Sequence, residues 1–311
     1  MIRAVVAASL LVTILAVGAG AATKAPAGEI LFTRASAAGT HPALYSVRAD
    51  GSNLRLVVRD ASDAAVSRDG KRVAFVRSGA IWSMRSDGSG QRQISRPRSG
   101  QEDSDPTWSA DGRELYFSRL SRRSLTAPLY VIGADGTRER RLTSAPADTG
   151  MGGSGTCDQH PTVASDGASL AFLVVASCSH GTGSSIAAID TSGTRVPLGL
   201  RVADPAAANG AEYLDPEWAP SGRRLAYGVG SQDTPFTGLY LSVAGKAPRR
   251  LAGGGTGWMG GAAWSAGGRW IAFVRGGNSG NGDIGLVRPD GTGLTYVVTG
   301  ATNDTEPTWL P

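Results

Sequence analysis

Only two cysteines and three histidines occur in 311 residues, and that scarcity bounds the chemistry first. A Ser-His-Asp hydrolase needs a positioned histidine base and usually a Gly-x-Ser-x-Gly elbow. No such elbow occurs, nor does a phosphate-binding loop, a dinucleotide fingerprint or a metalloprotease helix. Helix-period amphipathic runs are missing after the first 22 residues, and no second apolar stretch long enough to span a bilayer follows. Aromatics make up 6%, which, with no basic groove between stacking rings, argues against a nucleic-acid partner. Forty-four glycines fit a turn-rich all-β chain.

What is present is a repeat. Aligned on one tryptophan position, the copies are DAAVSRDG from Asp63, DPTWSADG from Asp105, QHPTVASDG from Gln159, DPEWAPSG from Asp215, GAAWSAGG from Gly261 and EPTWLP from Glu306. The first five run into short apolar segments, RVAFVR, ELYFSR, SLAFLV, RLAYGV and WIAFVR. Between them LYSVRADGS, IWSMRSDGS, LYVIGADGT, IAAIDTSGT, LYLSVAGKA and IGLVRPDGT place a glycine turn after a β-rich run, a strong hairpin signal. A period of 42 to 55 residues with about four strands, here a to d, predicts an all-β, six-bladed β-propeller of four-stranded antiparallel blades. The Ser78-Gly79-Ala80 connection is a tight hairpin from b to c, so the long d to a segments carry the chain between blades. The chain stops at Pro311 just after a strand a, and its folded part opens at Gly28 with Glu29-Ile30-Leu31-Phe32-Thr33-Arg34, an orphan strand b. Pairing the C-terminal strand with the N-terminal strands closes the ring and protects its edges.

The Asp-x-x-Pro-x-Trp-Ser-x-Asp-Gly pattern followed by an Ile-Ala-Phe strand resembles the TolB-type six-bladed propeller over roughly residues 28 to 311. Val66 and Val163 depart from it at the tryptophan position, and Gly267-Gly268 replaces Asp-Gly. The resemblance implies association with cell-envelope complexes. A stand-alone propeller, without the N-terminal domain of TolB proteins, is the closer match, because only a linker at 23–27 separates residues 1–22 from the first strand.

Residues 1–22 read as a secretory signal peptide: Arg3, an apolar run from Ala4 to Val17, and an Ala19-x-Ala21 pattern. An uncleaved anchor is the alternative. The protein is therefore expected to be exported, either periplasmic or secreted and associated with the cell envelope. In that compartment Cys157 and Cys178, on one hairpin, are expected to form a disulfide. Zinc held by the same cysteines with His160 and His180 is the alternative.

Formal charge is +5. Lys71, Arg72, Arg113, Arg223, Arg224 and Arg269 in the a to b turns, with Arg138 and Lys246, make one face of the disc basic, a possible dock for an anionic polymer or lipid surface. The opposite face gathers acidic residues near the start of strand a. Asp63, Asp105, Asp158, Asp215, Asp304 and Glu306 are the binding candidates there, with Trp258 on the glycine-rich segment 253–261 and a second glycine-rich rim at 150–155. A single aspartate in this pattern has a structural role open to it, accepting backbone N–H bonds at the entry to strand a. Trp108, Trp218, Trp264 and Trp309 share one repeat position and suit packing between blades.

The expectation from sequence is a monomeric, non-enzymatic protein without metal or cofactor that binds an envelope or secreted protein, or a peptide segment, through its channel-mouth loops. The alternative is a carbohydrate- or lactone-active enzyme using channel carboxylates and a divalent cation.

Overall fold

The computed structural model describes residues 26–36, 40–144, 155–176, 178, 183–203, 212–230, 237–253, 258–276 and 281–310. The expected signal peptide lies outside these residues, as do His180, residues 150–154 of one glycine-rich rim and 254–257 of the other.

Among the described residues there are 23 strands and no helix. The chain opens with β1 (Glu29–Ala35), β2 (Ala43–Arg48) and β3 (Arg55–Arg59). There follow β4 (Ser62–Val66), β5 (Arg72–Arg77), β6 (Ala80–Arg85) and β7 (Arg92–Gln93), then β8 (Gln101–Trp108), β9 (Glu114–Ser121), β10 (Leu129–Gly133) and β11 (Arg140–Arg141). The fourth group is β12 (Cys157–Val163), β13 (Ser169–Val175) and β14 (Ser184–Asp190); the fifth is β15 (Glu212–Trp218), β16 (Arg224–Gly230), β17 (Gly238–Val243) and β18 (Arg249–Gly253). Last come β19 (Trp258–Trp264), β20 (Ile271–Gly276), β21 (Gly282–Val287), β22 (Thr295–Val298) and β23 (Asn303–Leu310). Each group is an antiparallel meander, and these strands make five sheets. The largest has eight strands, because β23 pairs antiparallel with β1, Glu29 opposite Leu310, and touches β21 through one parallel pair, Gly282 with Asn303.

Turn chemistry explains the meanders. Asp50, Asp87, Asp135, Asp190 and Asp290 each accept the backbone N–H of the residue two positions on, at 2.8 to 2.9 Å. The side chain thereby mimics a backbone turn, while the glycine beside Asp50 takes a φ of 83° that other residues resist. The sheet of β12 to β14, the third in chain order after the eight-stranded one, differs from the expected four strands. Its outer segment makes a single bridge, Ile189 with Arg195, and stops before Pro197, which has no N–H to continue a ladder.

The first strands of the sheets contact one another in sequence: β4 meets β8, β8 meets β12, β12 meets β15, β15 meets β19, β19 meets β23, and β23 meets β4. Tryptophan fixes these contacts. The indole N–H groups of Trp108, Trp264 and Trp309 donate to the carbonyls of Ala65, Glu217 and Ala263 on the preceding first strand, at 3.1, 3.1 and 2.9 Å. Trp218 is equally buried, but its indole N–H has no partner among the described residues.

Cys157, at the start of β12, is joined to Cys178 just beyond β13, as expected. The disulfide closes a separation of 21 residues, worth about 3 kcal/mol on the chain-entropy model. Reduction and alkylation should lower the unfolding free energy in urea by about that amount. Intact mass of the untreated protein should show no alkylatable thiol before reduction.

Candidate functional site

Each of the six first strands carries the same irregularity. Two of its residues face one residue of the second strand: Asp63-Ala64 face Phe75, Asp105-Pro106 face Phe117, His160-Pro161 face Phe172. Asp215-Pro216 face Tyr227, Gly261-Ala262 face Phe273, and Glu306-Pro307 face Phe32. Every one of the six opposing aromatics is fully buried. The extra residue of such a bulge bends the strand and re-aims a side chain. Here the first residue is left-handed in every copy, with φ between 39° and 59°. Proline fits as the second residue because that position has no ladder partner to donate to.

The result is a cavity of about 160 Å³ lined by all six first strands, with Asp63, Asp105, His160, Asp215, Gly261 and Glu306 around it. The strands therefore begin earlier than the Pro-x-Trp motif suggests, and the acidic residues lie inside them rather than in loops.

Neighbouring bulges hold one another. The Glu306 carboxylate accepts the backbone N–H of Asp63 at 2.9 Å and the Thr33 hydroxyl at 2.8 Å. Asp215 accepts the N–H of Gly261 at 2.7 Å. His160 lies between two acids, its Nδ1 3.3 Å from Asp105 and its Nε2 3.1 Å from Asp215. It sits deep in the fold yet keeps 32% of its side-chain surface open to the cavity. Burial works against its charge, but Asp105, Asp215 and Asp63 outweigh it and lift its pKa to about 9. At neutral pH it is an imidazolium, a cation built into an acidic mouth. Burial, with Asp63 close by, pushes the Glu306 carboxyl well above its usual range, and burial raises Asp105 as well.

No protein-family model and no curated protein matches the chain. Solved structures do. TolB from Acinetobacter baumannii superposes with a TM-score of 0.69 at 17% identity, covering 93% of this chain and 69% of that one. The chain has a β-propeller fold similar to that of TolB. The nidogen/laminin complex contains a chain matching at a TM-score of 0.59 and 11% identity, over 91% of this chain and 99% of that one. Oligogalacturonate lyase in complex with manganese matches at 0.50 and 12% identity, over 88% and 74%. At such identities the likeness is one of fold.

Within this propeller the binding candidates separate into two groups. Asp63, Asp105, Asp215 and Glu306 share the cavity. Asp304 and Asp158 stand two residues before a bulge and do not line it. Asp304 is fully buried against Arg34, with Oδ1 to Nε at 2.7 Å. Asp158 accepts the Thr143 hydroxyl at 2.5 Å, and that hydroxyl in turn accepts the Leu129 N–H. Asp103, at the same position, pairs with buried Arg119 at 2.5 Å. These carboxylates tie strands together.

Trp258 opens β19, packs over Gly276 and against the core shared by β1, β2 and β19 to β23, and does not line the cavity. The basic face is partly committed: Arg72 stacks on Trp108 at 4.4 Å, Arg224 on Trp264 at 4.8 Å and Arg223 on Trp218 at 5.7 Å. The disulfide takes both thiolates away from the zinc alternative. Among the described residues no group of three or more His, Cys, Asp or Glu is placed to hold a metal ion.

Two residues of the site were not among the binding candidates, His160 having been considered only as a zinc ligand. His160 had a signal, since it precedes a proline at the position Asp105 and Asp215 occupy. Glu217 lines this cavity and a larger one beyond it, and burial lifts its carboxyl to about 7; at its repeat position other copies carry Ala or Thr.

The folded-state pKa of His160 lies above the 6.5 of an unfolded chain. Its stabilisation is therefore complete below 6.5 and is lost as pH rises through 9. Urea unfolding of the wild type should weaken over that window by on the order of 2 kcal/mol, a figure reduced for contact with cavity water. His160→Gln should remove that slope.

Proposed function

We propose that the six repeats close into one six-bladed ring, and that the protein is an exported, non-enzymatic module binding an envelope or secreted protein through its carboxylate cavity. The pairing of β23 with β1, and the first-strand contacts that return from β23 to β4, support closure. The disulfide supports an oxidising compartment.

The observation that carries the binding role is the placement of four carboxylates at equivalent strained bulges around one small cavity. Left-handed non-glycine backbone costs about 1 to 3 kcal/mol per residue and concentrates at sites of function. A cavity of about 160 Å³ admits a side chain and not a folded module. The matching ligand is a lysine or arginine on an extended segment, its cation replacing or joining His160. Charge complementarity of this kind sets specificity and association rate.

The likeness to a manganese-bound lyase favours a second reading, in which the same carboxylates serve a carbohydrate-active enzyme with a divalent cation. Metal analysis of the purified protein separates the two, since stoichiometric metal belongs to the second alone.

The binding test is in-cell crosslinking of the tagged protein beside the variant Asp105→Asn, Asp215→Asn, Glu306→Gln, after checking that both melt alike. One protein should be recovered with the wild type and lost with the variant. Its complex, remade in vitro, should weaken as salt rises. Equal recovery with both chains rules the cavity out as the contact surface.

A further inference from the structure

At the second residue of the turn after each first strand the repeat places something small: Ala110, Ser165, Pro220 and Ala266. The first copy has Arg68 there, and its side chain crosses to two other sheets. Nη1 donates to the Ser165 carbonyl at 2.9 Å and Nη2 to the Pro220 carbonyl at 2.7 Å. Among the described residues Arg68 has no carboxylate partner.

Arg68 lines a second cavity of about 380 Å³ at the turn side of the first strands. That volume falls in the range of about 300 to 1,000 Å³ typical of small-molecule sites. Thr107, Thr308 and Glu217 line both this cavity and the carboxylate cavity, so they sit where the two meet. The hydroxyls of Thr107 and Thr308 make no hydrogen bond to protein among the described residues. Glu217, with its carboxyl lifted to about 7, is half protonated near neutrality and is then able to donate.

A guanidinium is permanently charged and its fork matches a carboxylate. Charge-assisted bonds are about twice as strong as those to neutral carbonyls. A carboxylate arriving from the turn side therefore displaces the Ser165 and Pro220 carbonyls from Arg68. The acidic bulge of the same strand lies at its far end: Asp63 is near the start of β4, which ends at Val66, and Arg68 lies in the turn beyond.

We propose that the turn-side cavity binds a small hydroxylated carboxylate of sugar-acid size, its carboxylate on Arg68 and its hydroxyl groups on Thr107, Thr308 and Glu217. This site adjoins the carboxylate cavity through Thr107, Thr308 and Glu217, but the proposal does not depend on the function assigned to that cavity.

Titration with D-glucuronate, D-glucose and acetate, followed by tryptophan fluorescence and calorimetry, tests it. Wild type should bind glucuronate saturably in the millimolar range or tighter, with glucose and acetate each about tenfold weaker or worse. Arg68→Ala should cost about tenfold or more in glucuronate affinity, and Lys71→Ala, on the same turn but outside the cavity, nothing. The double variant Thr107→Val, Thr308→Val leaves the arginine in place and should weaken glucuronate but not acetate. No saturable glucuronate response in the wild type, or undiminished binding by Arg68→Ala with an unchanged melting temperature, overturns the proposal. Acetate binding as tightly as glucuronate overturns the assignment of ligand class.

Discussion

Two residues set against one buried aromatic ring is the constraint on which this molecule depends. It recurs in every first strand, and the six aromatics, Phe32, Phe75, Phe117, Phe172, Tyr227 and Phe273, expose nothing. Burying one such ring is worth about 1.5 to 3 kcal/mol, of the same order as the roughly 1 to 3 kcal/mol of a left-handed residue. The bulge persists whether the residue is Asp, His, Glu or Gly. What varies is the group presented to the cavity, so one scaffold position becomes a site whose chemistry is set copy by copy.

Electrostatics follow from that geometry. Carboxylates two residues apart in sequence have unlike surroundings because the bulge rotates the strand between them. Asp103 meets Arg119 between strands, while Asp105 meets His160 across the cavity. The first kind is neutralised within its own sheet. The second is shared between sheets, through the Glu306 to Asp63 amide contact and the Asp105, His160, Asp215 and Gly261 series. These contacts link neighbouring repeats around the cavity.

Much of the fold was legible because its signals are local. Asp-Gly turns, alternating apolar runs and a spacing of 42 to 55 residues give the strand order, and the C-terminal strand found its N-terminal partner where expected. The missing fourth strand of the β12 to β14 sheet was also encoded locally, in Pro197, but the turn signal before it masked the break. The candidate site was half legible. Asp63, Asp105, Asp215 and Glu306 share a repeat position and share a cavity, whereas Asp158 and Asp304 carry the same charge at a position turned toward other strands. Trp258 looked exposed because its segment is rich in glycine, and Gly276 instead supplies the flat surface on which it packs.

The sequence by itself determined the repeat, the turns, the all-β class and which side chains stand at each bulge, since these depend on covalent neighbours and backbone propensity. Only the tertiary structure decided which charges meet. Glu306 reaches the amide of Asp63 across 243 positions of chain, and Arg68 reaches Pro220 across 152. Such contacts have no local signal, because they arise only when separately formed sheets pack their first strands together.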